Sequence, residues 1–343
     1  MKKCFILFLF FASMLYAQNN PNENFGKYFE FVKEIRPPDD FILGDFSSVD
    51  VYEDKIVIVD RFMGYAYLIN DKGKLLKKLD PDECHPGLNW KPQYAYFNKQ
   101  GNIYIVFESP TWGFLFGKEG KCIGLADKTF VRSNRMAFLS NKKIVVYNPD
   151  KKVNHNSLLI MDEKGKYLNG FGSFPDQFLN LIDHTDGGGL VTDKNDNIYQ
   201  LHLTSCEIAK YNSNGKIIKT FKCKPEKFIQ PLADDSGAPI TSIDQIQNNM
   251  KKVGNFTSAQ KLYLLADDIL AAEYWNKGTI ELVLCDLEGR KLNLQPITYK
   301  RVKSLLAKNG LIYFFYQGEK DRNGNIPNPV IKVYKFKTDM KWK

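Results

Sequence analysis

A chain of 343 residues with 43% hydrophobic and 25% charged residues has an ordinary globular composition, which excludes wholesale disorder, a collagen-like repeat and a multi-spanning membrane protein. Aromatic residues reach 14%, with 25 Phe and 18 Tyr, a level that goes with β-rich folds because flat rings pack on pleated surfaces. The formal charge of +9 falls to +7 when Lys2 and Lys3 are removed with a leader (9 − 2), too diffuse for a nucleic-acid footprint.

The chain opens on MKKCFILFLFFASMLYA: two lysines, an apolar run from Phe5 to Phe11, then small residues at Ala12, Ser13 and Ala17. This is the layout of a secretory signal, with cleavage expected after Ala17, so residues 1–17 are set apart from the folded unit at 18–343. Cys4 precedes the apolar run rather than following it, which argues against a lipid anchor. The MKK opening and the YAQ junction have a bacterial character, and the expected destination is the periplasm or the exterior. No later segment approaches the roughly eighteen apolar residues of a membrane span. Next comes YFEFVKEI at residues 28–35, alternating apolar with polar as an edge strand does.

From there a β-rich string recurs six times: KIVIVD at 55, NIYIVF at 102, KIVVYN at 143, NIYQLH at 197, DILAAE at 268 and LIYFFY at 311. The marker isoleucines Ile56, Ile103, Ile144, Ile198, Ile269 and Ile312 are 47, 41, 54, 71 and 43 residues apart. A step of 41–54 fits four short strands and their turns, the length of one propeller blade. A second marker keeps phase with the first: a four-residue turn ending in Gly73, Gly120, Gly165, Gly215 or Gly289 follows its isoleucine by 17, 17, 21, 17 and 20 residues. Such turns need a residue that accepts φ > 0.

The expectation is an all-β, six-bladed β-propeller with four-stranded blades A to D near residues 46–80, 92–126, 133–172, 187–223, 262–295 and 300–338. Blade six lacks a fourth strand, and residues 28–35 are expected to supply it, closing the ring. The interval of 71 marks an insertion at 224–261, helical around 242–250, where Ile243, Ile246 and Met250 are spaced by three and four residues.

The layout of VYEDKIVIVDRF, LINDKGKLLKKL and KNDNIYQLHL resembles the NHL-like and TolB-like six-bladed β-propellers of secreted bacterial proteins. The resemblance implies an architecture and no single activity, because such propellers host binders, scaffolds and hydrolases alike.

In a propeller the ends of strands B and the starts of strands A open on one face, around the channel mouth. The alignment places Asp60, Phe107, Asn148, His202, Glu273 and Tyr316 at the B-strand ends, and four of the six are polar where a buried strand would hold Val or Ile. The D-to-A connections add Arg135 and His184, and cations outnumber acids there. Trp112, in the B–C connection of blade two, suits docking of a sugar or peptide. Asp60, Asn148, His202, Glu273, Tyr316, Trp112, Arg135 and His184 are therefore the candidate ligand contacts.

Signatures of catalysis are mostly absent: there is no G-x-S-x-G, H-E-x-x-H, Walker loop or G-x-G-x-x-G. Gly187-Gly188-Gly189 precedes a strand rather than a helix and so lacks a helix N-terminus for phosphate. The favoured function is a non-enzymatic, monomeric binding scaffold for a protein, peptide or glycan, without cofactor and without nucleic acid. The alternative is a calcium-dependent, lactonase-like hydrolase with Asp60, Asn148 and Glu273 as ligands of one Ca2+.

Cysteines 84, 122, 206, 223 and 285 follow the leader. An odd number leaves at least one unpaired. Cys206 and Cys223 flank the turn of blade four at nearly opposite strand positions, so a disulfide between them is expected.

Overall fold

The computed structural model describes residues 24–37, 46–87, 91–107, 113–125, 135–148, 156–174, 188–231, 255–293, 295–300, 304–316 and 329–337. Six four-stranded antiparallel sheets form the blades of a β-propeller. Blade one holds β2 (Phe46–Tyr52), β3 (Lys55–Asp60), β4 (Tyr65–Asn70) and β5 (Leu75–Leu79); blade two holds β6 (Pro92–Phe97), β7 (Ile103–Phe107), β8 (Gly113–Phe116) and β9 (Cys122–Leu125). Blade three comprises β10 (Met136–Phe138), β11 (Ile144–Tyr147), β12 (Leu158–Met161) and β13 (Tyr167–Phe171). Blade four comprises β14 (Gly188–Thr192), β15 (Ile198–His202), β16 (Glu207–Tyr211) and β17 (Ile217–Lys222). Blade five runs through β18 (Ser258–Ala266), β19 (Ile269–Asn276), β20 (Thr279–Asp286) and β21 (Ile297–Lys300).

Blade six contains β22 (Ser304–Lys308), β23 (Leu311–Tyr316) and β24 (Val330–Phe336), and its outer strand is β1 (Phe29–Ile35) from the other end of the chain. The pairing runs from Phe29 opposite Phe336 to Ile35 opposite Ile331, with a bulge between Phe31 and Lys33. The single turn α1 (Phe25–Tyr28) precedes β1 and seats Phe25 on Phe29 and edge-on to Phe314 and Tyr334. The expected closure of the ring by the N-terminal strand is therefore what the molecule does.

The repeat of strands follows from local turn chemistry. In blades one, three, four and five, Asn70, Asp162, Asn212 and Asp286 accept two backbone N–H groups each through Oδ1, and the fourth residue of the turn is a glycine at positive φ. Blade two keeps the glycine turn with Gly117 in the first place. The turns also join blades. A Cβ on Gly215 would lie 2.5 Å from Phe171 of blade three, and one on Gly289 would lie 2.7 Å from Phe221 of blade four. Each glycine thus serves the turn and leaves room for the preceding blade's outer strand.

The core is the set of seams between blades. Separate clusters fill them, for example Val57, Val59, Leu68, Ile103, Ile105 and Phe114 between blades one and two. Each fully buried side chain of this kind is worth about 1.5–3 kcal/mol.

Three sequence-based boundaries move. The first strand of blade five begins at Ser258 rather than 262, its fourth strand lies at Ile297–Lys300 beyond the expected 295, and the first strand of blade six begins at Ser304 rather than near 300. The cause of the second shift is an excursion after Gly289, where Lys291 bridges back to Cys285 and the buried Asn293 bonds Leu284 N–H. The helix expected around 242–250 lies outside the described residues, as does the leader. The base of the insertion is tied: Thr257 N–H donates to Ile229 O and Ile229 N–H to Thr257 Oγ1, both at 2.9 Å.

The expected Cys206–Cys223 disulfide is overturned. The register is as anticipated, with Cys223 N–H donating to Cys206 O at 2.9 Å. However, Cys223 bonds Cys285 of blade five, whose Cα is 6.0 Å away, because its side chain faces the seam rather than its own sheet. A second bridge, Cys84–Cys122, ties the segment leaving blade one to the outer strand of blade two, and Cys206 is a buried free thiol. Alkylation of the denatured, unreduced mature chain should therefore find one thiol. Breaking Cys223–Cys285, which closes 62 residues, should cost about 4 kcal/mol on the chain-entropy model. A count of five thiols would contradict both bridges.

Candidate functional site

The first strands of neighbouring blades pack on one another and line the channel. One end of that channel is crossed by ion pairs. Lys99, in the A–B turn of blade two, reaches Asp196 in the corresponding turn of blade four at 2.7 Å, passing blade three, whose Ser140 N–H also bonds Asp196. Burial would raise the Asp196 carboxyl, but hydrogen bonds from Lys99 and Ser140 hold it below its ordinary value. On the same end Lys308 of blade six pairs with Asp50 of blade one, which accepts Phe97 N–H of blade two. The opposite end, where B strands finish and A strands begin, is the mouth.

Four sequence-predicted residues stand at that mouth. Asp60, fully buried at the end of β3, accepts Phe62 and Met63 N–H through Oδ1, each at 3.0 Å, and so builds the B–C turn. Asn148, also buried, donates from Nδ2 to Asn156 O and from its backbone to Ser157 O. His202 closes β15, and Tyr316 closes β23. Trp112 and His184 lie outside the described residues.

Glu273 is a correction. The tight turn at Lys277-Gly278 lets β19 extend to Asn276, so position 273 falls inside the strand and not at its end. Its carboxylate is buried against blade six and accepts the Tyr263 hydroxyl at 3.0 Å, while that hydroxyl also lies 2.8 Å from Leu305 O. Burial and then the Glu273 charge push the hydroxyls of Tyr263 and Tyr299 well above the ordinary phenol range. Tyr316 belongs to the same seam; burial raises its phenol too, and among the described residues its hydroxyl has no hydrogen-bond partner. Asp60, Asn148 and Glu273 thus act in three separate places, and among the described residues no three His, Cys, Asp or Glu side chains are grouped to hold a metal ion.

The seam between blades three and four does bring two candidates together. Arg135 sits just before β10, its carbonyl accepting Tyr147 N–H at 3.1 Å and its guanidinium 5.1 Å from the Tyr147 ring. It is only 8% exposed. Facing it is His202, pushed down to about 4 first by burial and then by the Arg135 charge. Part of His202 meets solvent, but its Nδ1 is shielded and has no hydrogen-bond partner among the described residues. Two residues further, Thr204 is 2% exposed and its hydroxyl is likewise shielded and unbonded among the described residues.

Beneath them lies a network that the sequence reading missed. Ser157 of blade three and Gln200 of blade four are fully buried and bonded to each other, with the Tyr211 hydroxyl 3.4 Å from Gln200 Oε1. The signal was present, since Gln200 interrupts the apolar run of NIYQLH.

The low proton affinity of His202 has a signed consequence. Above about pH 6.5 the imidazole is neutral in both folded and unfolded chains. Between 6.5 and 4 the unfolded chain takes up a proton that the native seam resists, so stability falls with pH across that window. A His202→Gln variant should show a flatter melting temperature from pH 6.5 to 4 than the wild type. Parallel curves would refute the assignment.

No protein-family model matches this chain, and no curated protein does. Solved structures do resemble it. A Bacteroides fragilis protein whose name marks it as expected to be exported superposes with a TM-score of 0.62 at 8% identity, covering 94% of this chain and 98% of that one. A DUF4221 family member from Bacteroides vulgatus gives 0.61 at 9% identity, with 93% and 99% covered. The virginiamycin B lyase of Staphylococcus aureus gives 0.50 at 10% identity, with 89% and 99% covered. At such identities the likeness is one of fold: this chain is a six-bladed β-propeller.

Proposed function

We propose that this chain is an exported β-propeller that binds a ligand at its channel mouth, as a monomer, and carries out no chemistry on it. The observation that carries this reading is the seam of blades three and four, where, among the described residues, the shielded Nδ1 of His202, which feels the charge of Arg135, and the Thr204 hydroxyl two residues on lack hydrogen-bond partners. Buried polar groups are nearly always bonded, and a bound molecule is one way to complete them. The ion pairs at the other end of the channel support the same choice of face.

Export is supported by the leader, by two disulfides of the kind that persist in oxidising compartments, and by the name of the Bacteroides fragilis neighbour. Among the described residues no helix is long and apolar enough to cross a membrane. The calcium-dependent alternative has less support, because Asp60 and Asn148 already bond their own turns and Glu273 bonds Tyr263. A calcium-dependent rise in Tm would revive it.

The direct test is hydrogen–deuterium exchange of the mature chain against panels of peptides, glycans and small metabolites. A ligand should protect amides at 144–148 and 198–206 while leaving the A–B turns unchanged. Protection confined to the A–B turns or the outer strands would contradict the assigned face.

A further inference from the structure

We propose that Cys206, Cys223 and Cys285 form a thiol–disulfide exchange site in the seam of blades four and five, where the Cys206 thiol displaces Cys285 from Cys223. Cys206 is not an isolated thiol. β16 and β17 pair with Glu207 opposite Lys222 and Ile208 opposite Phe221, which sets Cys206 opposite Cys223 one position further on. Cys223 N–H donates to Cys206 O at 2.9 Å, as that register requires. Opposed residues of an antiparallel pair share a face, with Cα atoms about 4.5–5.5 Å apart, inside the range of about 4.4–6.8 Å that a disulfide spans. That face looks into the seam, where Cys206, Ile208, Cys223 and Cys285 belong to one buried cluster. Tyr274 of blade five borders two of the three: burial and then the Cys206 thiol push its phenol up, and its hydroxyl donates to Cys223 O at 2.7 Å.

The chemistry is attack of a thiolate on one sulfur of a disulfide. Cys206 gives up its proton and its sulfur bonds Cys223 Sγ. The Cys223–Cys285 bond breaks, and Cys285 leaves as a thiolate that takes up a proton. One S–S bond forms as one is lost, so the step needs no oxidant or reductant. Burial holds the Cys206 thiol above its ordinary value, against the pull of Lys222 and Lys224, and keeps the site at rest. Local opening of the seam admits water and starts the exchange. The two pairings hold different parts together. Cys223–Cys285 fastens blade four to blade five where the chain leaves β17, whereas Cys206–Cys223 lies within blade four and unfastens that seam.

The experiment is disulfide mapping of the mature chain. Wild type is incubated folded, then unfolded in acid, where thiolates and exchange are absent, alkylated with N-ethylmaleimide and digested without reduction. The expected map contains both Cys223–Cys285 and Cys206–Cys223 peptides, with the label divided in the same proportion between Cys206 and Cys285. A second protein, Cys285→Ala, removes the resting partner and keeps the buried position apolar. Treated with glutathione disulfide, it should close Cys206–Cys223 and retain no free thiol.

Cys223–Cys285 alone in wild type, with the label on Cys206 alone, would overturn the proposal. So would two free thiols in a folded Cys285→Ala chain, because Cys206 would then be out of reach of Cys223. Pairs that mix these cysteines with Cys84 or Cys122 would mean scrambling of unfolded chains rather than exchange in the seam, and would overturn it too. Should Cys285→Ala fail to fold, the wild-type map decides by itself.

Discussion

Deleting residues 19–37 should lower the melting temperature of the whole propeller by more than about 10 °C, in a single cooperative transition. The segment is the outer strand of blade six and the latch of the ring. It pairs with β24 from Phe29 to Ile35, and Tyr28 O accepts Lys337 N–H at 2.9 Å. Phe25, Tyr28, Phe29 and Ile35 are all buried, at 2–6% exposure. At about 1.5–3 kcal/mol for each buried side chain, their loss amounts to roughly 6–12 kcal/mol, comparable with the stability of an ordinary domain. The contact spans some 300 residues, so closing it costs about 5 kcal/mol of loop entropy, which that burial must exceed. Truncation also exposes Ile331, Val333 and Phe336 along a naked strand edge. A truncated chain that melts with the intact one would show that the ring holds without its latch.

Gly189→Val should be the most damaging single substitution. Gly189 lies in the channel-lining strand of blade four, where a Cβ would sit 2.1 Å from Leu262 N and 2.3 Å from Leu262 Cβ in the first strand of blade five. The obstacle is backbone, so it cannot rotate away; the two inner strands would have to part. Overpacking of this severity belongs to the exceptional losses above about 4 kcal/mol. Gly26→Ala, in α1 with nothing within 4 Å of the new Cβ, is the control and should change stability by less than about 1 kcal/mol. Chemical denaturation of both variants decides the matter: equal midpoints would mean that the seam between blades four and five is looser than its geometry.

The glycine triplet at 187–189 illustrates how far sequence reasoning reaches. Its position before a strand excluded a phosphate loop, but only the contact with Leu262 gives a reason for glycine there. Turn residues were legible because their chemistry is local: an Asn or Asp followed by a glycine three residues on satisfies its own amides wherever it stands. The latch was legible because residues 28–35 alternate and blade six was one strand short. Strand length was not legible from a marker, which is why Glu273 was assigned to the mouth when the Lys277-Gly278 turn carries β19 three residues past it. Seam contacts were least legible of all. Cys206 and Cys223 do face each other in register, but the pairing of Cys223 depends on blade five, 62 residues further on. Arg135 and His202 were each named as candidates. That they meet depends on how blade three sits against blade four.

That meeting is the centre of the account, and a crystal structure of the mature chain tests it most directly. The account predicts His202 beside Arg135 at the mouth of blades three and four, with a bound molecule or ordered solvent on His202 Nδ1 and the Thr204 hydroxyl. A structure in which His202 and Arg135 point away from each other, or in which side chains of this chain already bond His202 Nδ1 and the Thr204 hydroxyl, would contradict it.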